Sequence, residues 1–121
     1  MCVFCKIVNN ELSSYTLFED KIIKVLMDIN PRSNGHVLIV PIKHYENLKD
    51  IDLETLNHIN VIIKKMYKLI NKKLNPDGIT LLQNNGLGQD IKHYHMHMIP
   101  KYENSKLKDI KEVFEILKNN E

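Results

Sequence analysis

The sequence predicts an α+β domain built on a mainly antiparallel sheet. Short apolar stretches rich in β-branched residues are separated by turn formers, as strands are. One long segment after Asp52 repeats its apolar residues every three or four positions, the period of a helix. There is no internal repeat and no linker, so residues 1–121 read as one domain.

Cys2 to Asn10 forms a short head of one or two helical turns. Tyr15 to Phe18 and Ile22 to Met27 flank the polar Glu19-Asp20-Lys21 turn and predict a β-hairpin. Residues 28–35, from Asp28 to Gly35, are dense in turn formers and predict a loop. His36 to Val40 is a β-branched strand stopped by Pro41. Asp52 caps a helix running to about Leu74, with Leu56, Ile59, Ile63, Met66 and Ile70 on its buried face. Asn75-Pro76-Asp77-Gly78 ends it, and Ile79 to Leu82 is a further strand. Asn84 to Gln89 is a Gly-rich polar loop leading into a strand that Pro100 ends. Ser105 to Leu117 predicts a helix with Leu107, Ile110, Val113, Phe114 and Leu117 on one side.

Composition narrows the function. Apolar content is 43% and net charge +2, with the basic residues spread along the chain. Nothing predicts a nucleic-acid groove. Arg32 is the only arginine, so a bound phosphate would be held by histidine, amide and backbone N–H groups. The N-terminus lacks the pattern of a signal peptide, and no apolar run approaches about 18 residues, so no membrane span is expected. Cys2 and Cys5 are then expected in a reducing, cytoplasmic setting and outside any structural disulfide.

The informative segment is His93-Tyr94-His95-Met96-His97-Met98-Ile99. Its period of 2 puts three imidazoles on one face of a strand and Tyr94, Met96 and Met98 on the other, in a core. Three imidazoles on one face point to chemistry, because histidine serves as nucleophile, acid or base near neutral pH. They cannot all bind one metal on a straight strand. At ~3.3 Å per residue the first and third Cα atoms lie about 13 Å apart, while metal–nitrogen bonds are about 2 Å long. A division of labour is predicted instead.

That segment resembles the His-φ-His-φ-His-φ-φ signature of the histidine triad (HIT) superfamily of nucleotide hydrolases and transferases. Asp28-Ile29-Asn30-Pro31, Gly35-His36 through Pro41, Lys43-His44, and the Asn84-Asn85-Gly86 and Gly88-Gln89 pairs resemble the family's other blocks in order and spacing. The likeness spans about residues 2–100. It implies a five-stranded antiparallel sheet with helices, pairing as a homodimer. It implies His95 as nucleophile, with His97 and His36 completing the catalytic set. It implies a purine nucleotide substrate, with Asp28 on the ribose, Asn84 on the phosphate or ribose side, and Gly88 and Gln89 steadying phosphoryl oxygens. Phe4, Ile7, Leu12, Leu26 and Ile29 match positions that enclose the purine, although the residues alone read equally well as core.

Two features depart from the family pattern. The Asn84–Gln89 loop is about two residues short, and Asp90 stands where many members have Ser or Thr. An acidic side chain beside a phosphate is repulsive unless turned away. Cys2-x-x-Cys5 is by itself a weak metal signal, and tetrahedral zinc needs two further ligands, for which His44 and His93 are the candidates. Many bacterial members carry the same Cys, Cys, His, His set around zinc, so the resemblance implies one structural Zn²⁺. The activity expected is hydrolysis of nucleoside 5′-monophosphate derivatives, with AMP phosphoramidates favoured (Hint-like). The alternatives are a dinucleoside polyphosphate hydrolase (Fhit-like), a non-catalytic nucleotide-binding sensor, and a zinc-stabilised interaction module.

Overall fold

The computed structural model describes residues 2–119. Three helices, α1 (Val3–Val8), α2 (Leu53–Leu74) and α3 (Ile110–Lys118), accompany five strands. These are β1 (Thr16–Glu19), β2 (Ile23–Met27), β3 (Val37–Pro41), β4 (Gly78–Leu82) and β5 (Met96–Lys101). The sheet order is β1-β2-β3-β5-β4, and every neighbouring pair is antiparallel.

Alternation along the strands divides the interior in two. Ile23, Val25 and Met27 of β2, Val37 and Ile39 of β3, and Met98 of β5 face one side. They pack there with Ile59, Ile62, Met66 and Ile70 of α2 and with Val113 and Leu117 of α3. Leu26, Leu38 and Val40 face the opposite side, where Phe4 and Val8 of α1 cover them. Register sets Leu26 opposite Leu38, and Leu38 opposite His97, so three neighbouring strands lay one row across this second face. That row is the floor of the site.

Local chemistry explains the elements. Asp52 Oδ1 accepts from the Thr55 N–H at 2.8 Å and caps α2, and Asn75 closes the helix in the left-handed region at φ 47°. Gly35 turns at φ 90°, and a Cβ there would lie 2.5 Å from Leu74 Cδ1. The buried Lys24 ammonium donates to Ile7 O at 3.1 Å and to Asn10 Oδ1 at 3.3 Å, tying the head to β2. His58, outside every motif, holds Asp20 Oδ2 at 2.6 Å and joins α2 to the β1–β2 turn.

Several boundaries differ from the sequence expectation; β3, for one, includes Pro41. The histidine strand starts at Met96, because β4 ends at Leu82, whose partner is His97. The extended lead-in is clamped elsewhere: Tyr94 N–H donates to Tyr45 O at 2.7 Å, and His93 Nε2–H to Pro41 O at 2.9 Å. Pro100 also lies inside β5, where β4 is the only partner and a missing N–H is tolerated. Helix α3 begins at Ile110 and not at Ser105. Asn34 captures the preceding segment, donating from Nδ2 to Lys106 O at 2.9 Å and accepting the Lys108 N–H on Oδ1 at 2.7 Å. Asp109 then caps the helix, and Leu107 is 60% exposed.

Candidate active site and metal centre

His97, on β5, faces the floor of the second side of the sheet, with His36 beside it at the start of β3. The Arg32 backbone N–H donates to His36 Nδ1 at 3.0 Å. That bond makes Nδ1 the acceptor, so the neutral His36 ring carries its proton on Nε2. This Nε2–H reaches His97 Nδ1 at 2.9 Å, with Asp28 Oδ2 at 3.3 Å. His97 therefore accepts on Nδ1 and presents Nε2–H outward. Burial holds His36 down at about 4, against the pull of the Asp28 carboxylate. Burial also lowers His97, with His95 adding to the shift. The pair is neutral at pH 7.

His95 is held differently. Its Nδ1–H donates to the backbone carbonyl of His93 at 2.8 Å, so that in the neutral tautomer the lone pair sits on Nε2. The ring is 4% exposed and packs edge-on against Phe4, with centroids 4.9 Å apart. Asp90 Oδ1 lies 3.6 Å from His95 Nε2. A fixed tautomer with a free nitrogen is the form a nucleophile needs.

A cavity of about 330 Å³ opens in front of these rings. Phe4, Ile7, Leu12, Leu26, Leu38 and Ile29 are among its apolar walls, and its polar lining includes Asp28, Asp90, His95 and His97. Ile29 is 70% exposed and Leu12 43%. Such apolar surface at a cavity rim is what a flat, weakly polar ligand covers.

Behind His95, Cys2, Cys5, His44 and His93 converge, with the four atoms they could offer a metal within 4.8 Å of one another. The two Nδ1 atoms are 3.0 Å apart, and the sulfur–nitrogen distances run from 3.2 to 3.6 Å. Tetrahedral zinc with ordinary bond lengths would place nitrogens about 3.3 Å apart and nitrogen from sulfur about 3.6 Å apart. The Nε2–H bond from His93 to Pro41 O frees its Nδ1 for a metal, and burial keeps the ring neutral by pushing it down to about 4. Partial burial, then the adjoining Cys2, raises the Cys5 thiol. Donor set and geometry both fit a closed, structural metal site. Asp28, His36 and His97 also cluster, but the facing nitrogens, His36 Nε2 and His97 Nδ1, are already bonded to each other, and His36 Nδ1 to the Arg32 N–H.

Residues 9–104 match the HIT domain family. The chain belongs to the HIT family. An uncharacterised HIT-like protein of Methanocaldococcus jannaschii is 42% identical over 105 residues, covering 85% of this chain and 81% of that protein. The adenosine 5′-monophosphoramidase HNT1 of Saccharomyces cerevisiae is 41% identical over 102 residues, covering 83% of this chain and 62% of that enzyme. Among solved structures, a zinc-bound histidine triad family protein of Mycobacterium smegmatis superposes with a TM-score of 0.88 at 28% identity, covering 97% and 90% of the two chains.

In this HIT chain the loop before the triad is braced from within by Gln89. The Gln89 N–H donates to Gly86 O at 2.9 Å, and its side chain donates to Glu46 O and Ile91 O. Gln89 is 7% exposed and braces the loop through its backbone and side-chain amides, whereas Gly88 is exposed. Asn84 is half-buried beside this loop and does not line the cavity. Sequence reasoning missed Leu38 and Ile91 as cavity residues, though strand alternation on β3 would have found the first. It also missed Arg32 as the group that sets the His36 tautomer. That contribution is a backbone N–H, which leaves no mark in residue identity.

Proposed function

We propose that this chain is a nucleotide hydrolase. It cleaves the bond between the α-phosphorus of a nucleoside 5′-monophosphate and a leaving group, with AMP phosphoramidates favoured. The observation that carries the reading is the held tautomer of His95, whose free Nε2 faces a cavity with apolar walls. The 41% identity to a yeast adenosine 5′-monophosphoramidase supports the same reading.

In the mechanism, the His95 Nε2 lone pair attacks phosphorus and the bond from phosphorus to the leaving nitrogen breaks. That nitrogen departs as the amine, taking its proton from solvent at the cavity mouth, while His97 donates its Nε2–H to the phosphoryl oxygen and steadies the charge there. Water then attacks the nucleotidyl–His95 intermediate, the phosphorus–Nε2 bond breaks, a proton returns to solvent, and AMP leaves. One hydrogen of the water ends on the amine and its hydroxyl on the phosphate. His36 acts as a positioning residue, since its Nε2–H keeps His97 Nδ1 an acceptor. Asp28, 17% exposed at the cavity wall, is suited to accept from ribose hydroxyls.

The test is hydrolysis of adenosine 5′-phosphoramidate by the wild type and by His95→Asn, with AMP and ammonia followed by chromatography. Turnover abolished by the substitution is expected. Turnover surviving in His95→Asn would sink the intermediate, and AMP binding without turnover in the wild type would leave a binding protein.

We assign Cys2, Cys5, His44 and His93 as ligands of one structural Zn²⁺. With all four positions filled by protein, the ion would tether the head that carries Phe4 and supply no open coordination site. Metal analysis should find one zinc per chain in the wild type and much less in Cys5→Ser. Equal, low content in both would refute the assignment. A homodimer through the uncovered β4 edge is part of the same proposal, supported by Leu81 at 48% exposure on that strand. Sedimentation of the wild type as a monomer would remove it.

A further inference from the structure

The cavity in front of His95 holds two carboxylates and, among the described residues, no lysine or arginine. Arg32 stands on the other side of His36 and lines a separate cavity with Lys101 and Tyr102. Nucleotide sites that take polyphosphates usually do the opposite and surround the phosphates with cations.

Asp90 makes this imbalance matter at the reacting atoms. A phosphorus in near-attack position lies about 3–3.5 Å from the nucleophile. Asp90 Oδ1 is 3.6 Å from the same His95 nitrogen, so carboxylate and phosphoryl group share one small volume. The carboxylate is anchored there, because the Ile91 N–H donates to Oδ1 at 2.9 Å. Its side chain is 77% exposed, which puts it at the mouth of the cavity. The nucleoside end of a substrate suits the apolar interior, so the leaving group must lie toward that mouth.

We infer that Asp90 selects substrates whose leaving group carries positive charge next to the scissile bond, and that it turns away anionic leaving groups such as polyphosphates. The inference rests on the nucleotide-hydrolase reading above and names its substrate class: nucleoside 5′-phosphoramidates of cationic amines. A carboxylate facing a unit charge at about 4 Å in a solvent-like dielectric changes a rate by about five-fold. Exchanging an ammonium for a carboxylate on the leaving group should therefore cost about 25-fold in kcat/KM.

The experiment uses three adenosine 5′-phosphoramidates, made from ethylenediamine, propylamine and β-alanine, with diadenosine triphosphate as a fourth substrate. Each is measured with wild type and with Asp90→Asn, which keeps the Oδ1 acceptor for Ile91. In the wild type the order should be cation over neutral over anion. In Asp90→Asn the cation-to-anion ratio should fall by an order of magnitude, and diadenosine triphosphate should gain relative to the cationic amide. Raising ionic strength should compress the ratio in the wild type only. A ratio equal in the two proteins overturns the inference.

The same ligands are also displaced from His95→Asn and from the His95→Asn/Asp90→Asn double variant, which separates the two readings. Absent turnover with a charge preference that needs Asp90 would defeat the hydrolase reading and leave the selectivity standing. Turnover that needs His95 without any such preference would do the reverse.

Discussion

Replacing His36 with Asn or Gln divides the two bonds that this ring makes. Asn can place an oxygen near the former Nδ1 and keep the acceptor for the Arg32 N–H, which lies at 3.0 Å. Gln can place an amide nitrogen near the former Nε2 and keep the donor to His97 Nδ1, at 2.9 Å. The site is 1% exposed, so whichever group loses its partner is not rescued by bulk water. An unsatisfied buried group costs about 1–3 kcal/mol, so both variants should unfold several degrees below wild type and close to each other. Catalysis should separate them. Without a donor at His97 Nδ1 the other tautomer becomes accessible, and about 1.4–2.7 kcal/mol of lost preference is a 10- to 100-fold loss in kcat. His36→Asn should show that loss with little change in KM, while His36→Gln should stay within about five-fold of wild type. Stopped assays on adenosine 5′-phosphoramidate, beside thermal melts, give both numbers. An Asn variant as active as the Gln variant would refute the relay.

Gly35→Ala should destabilise by about 2 kcal/mol or more, read as a lower urea midpoint, because φ 90° is strained for alanine and its Cβ would meet Leu74 Cδ1 at 2.5 Å; an unchanged midpoint would count against that contact. Asn34→Ala should release residues 105–108, seen as faster amide exchange at Lys108 and a loss of about 1–3 kcal/mol. No change in exchange there would mean that α3 alone orders the segment. His36 is held at about 4, below its unfolded value, so the unfolded chain binds more protons in the interval between. Its contribution to stability is complete above about pH 6.5 and is lost as pH falls towards 4, by at most about 3 kcal/mol. Urea midpoints at several pH values should show this slope, and His36→Gln should flatten it.

Where one residue's chemistry dictates a structure, the sequence was readable. Asp52 and Asn75 bound α2 as expected, since caps are local, and the alternation of Tyr94, Met96 and Met98 against the histidines holds into the lead-in. Where a distant group decides, it was not. Helix α3 starts late because Asn34, 74 positions before Lys108, takes that amide. Strand β5 starts late because its neighbour β4 runs out. In the site, His36, His95 and His97 were visible as types and spacings, but the proton positions that give them roles come from the Arg32 N–H and the His93 carbonyl. Gln89 shows the same limit in reverse. The N–H of a Gly-Gln turn reads as open to a phosphoryl oxygen, and only its bond to Gly86 O and the four neighbours of its side chain reveal a brace.

The carbonyl that fixes His95 belongs to His93, whose imidazole joins Cys2, Cys5 and His44 in the proposed metal site. Side chain and main chain of one residue thus serve two masters, and they answer differently to sequence drift. The imidazole can be lost by a single codon change. The carbonyl cannot, because every amino acid brings one. The orientation of His95 is thereby insulated from substitution at its own anchor and is vulnerable only to displacement of the backbone. Variants at position 93 should accordingly fail by loosening the chain around the anchor, in proportion to how far the head swings free, and not by deleting a catalytic contact.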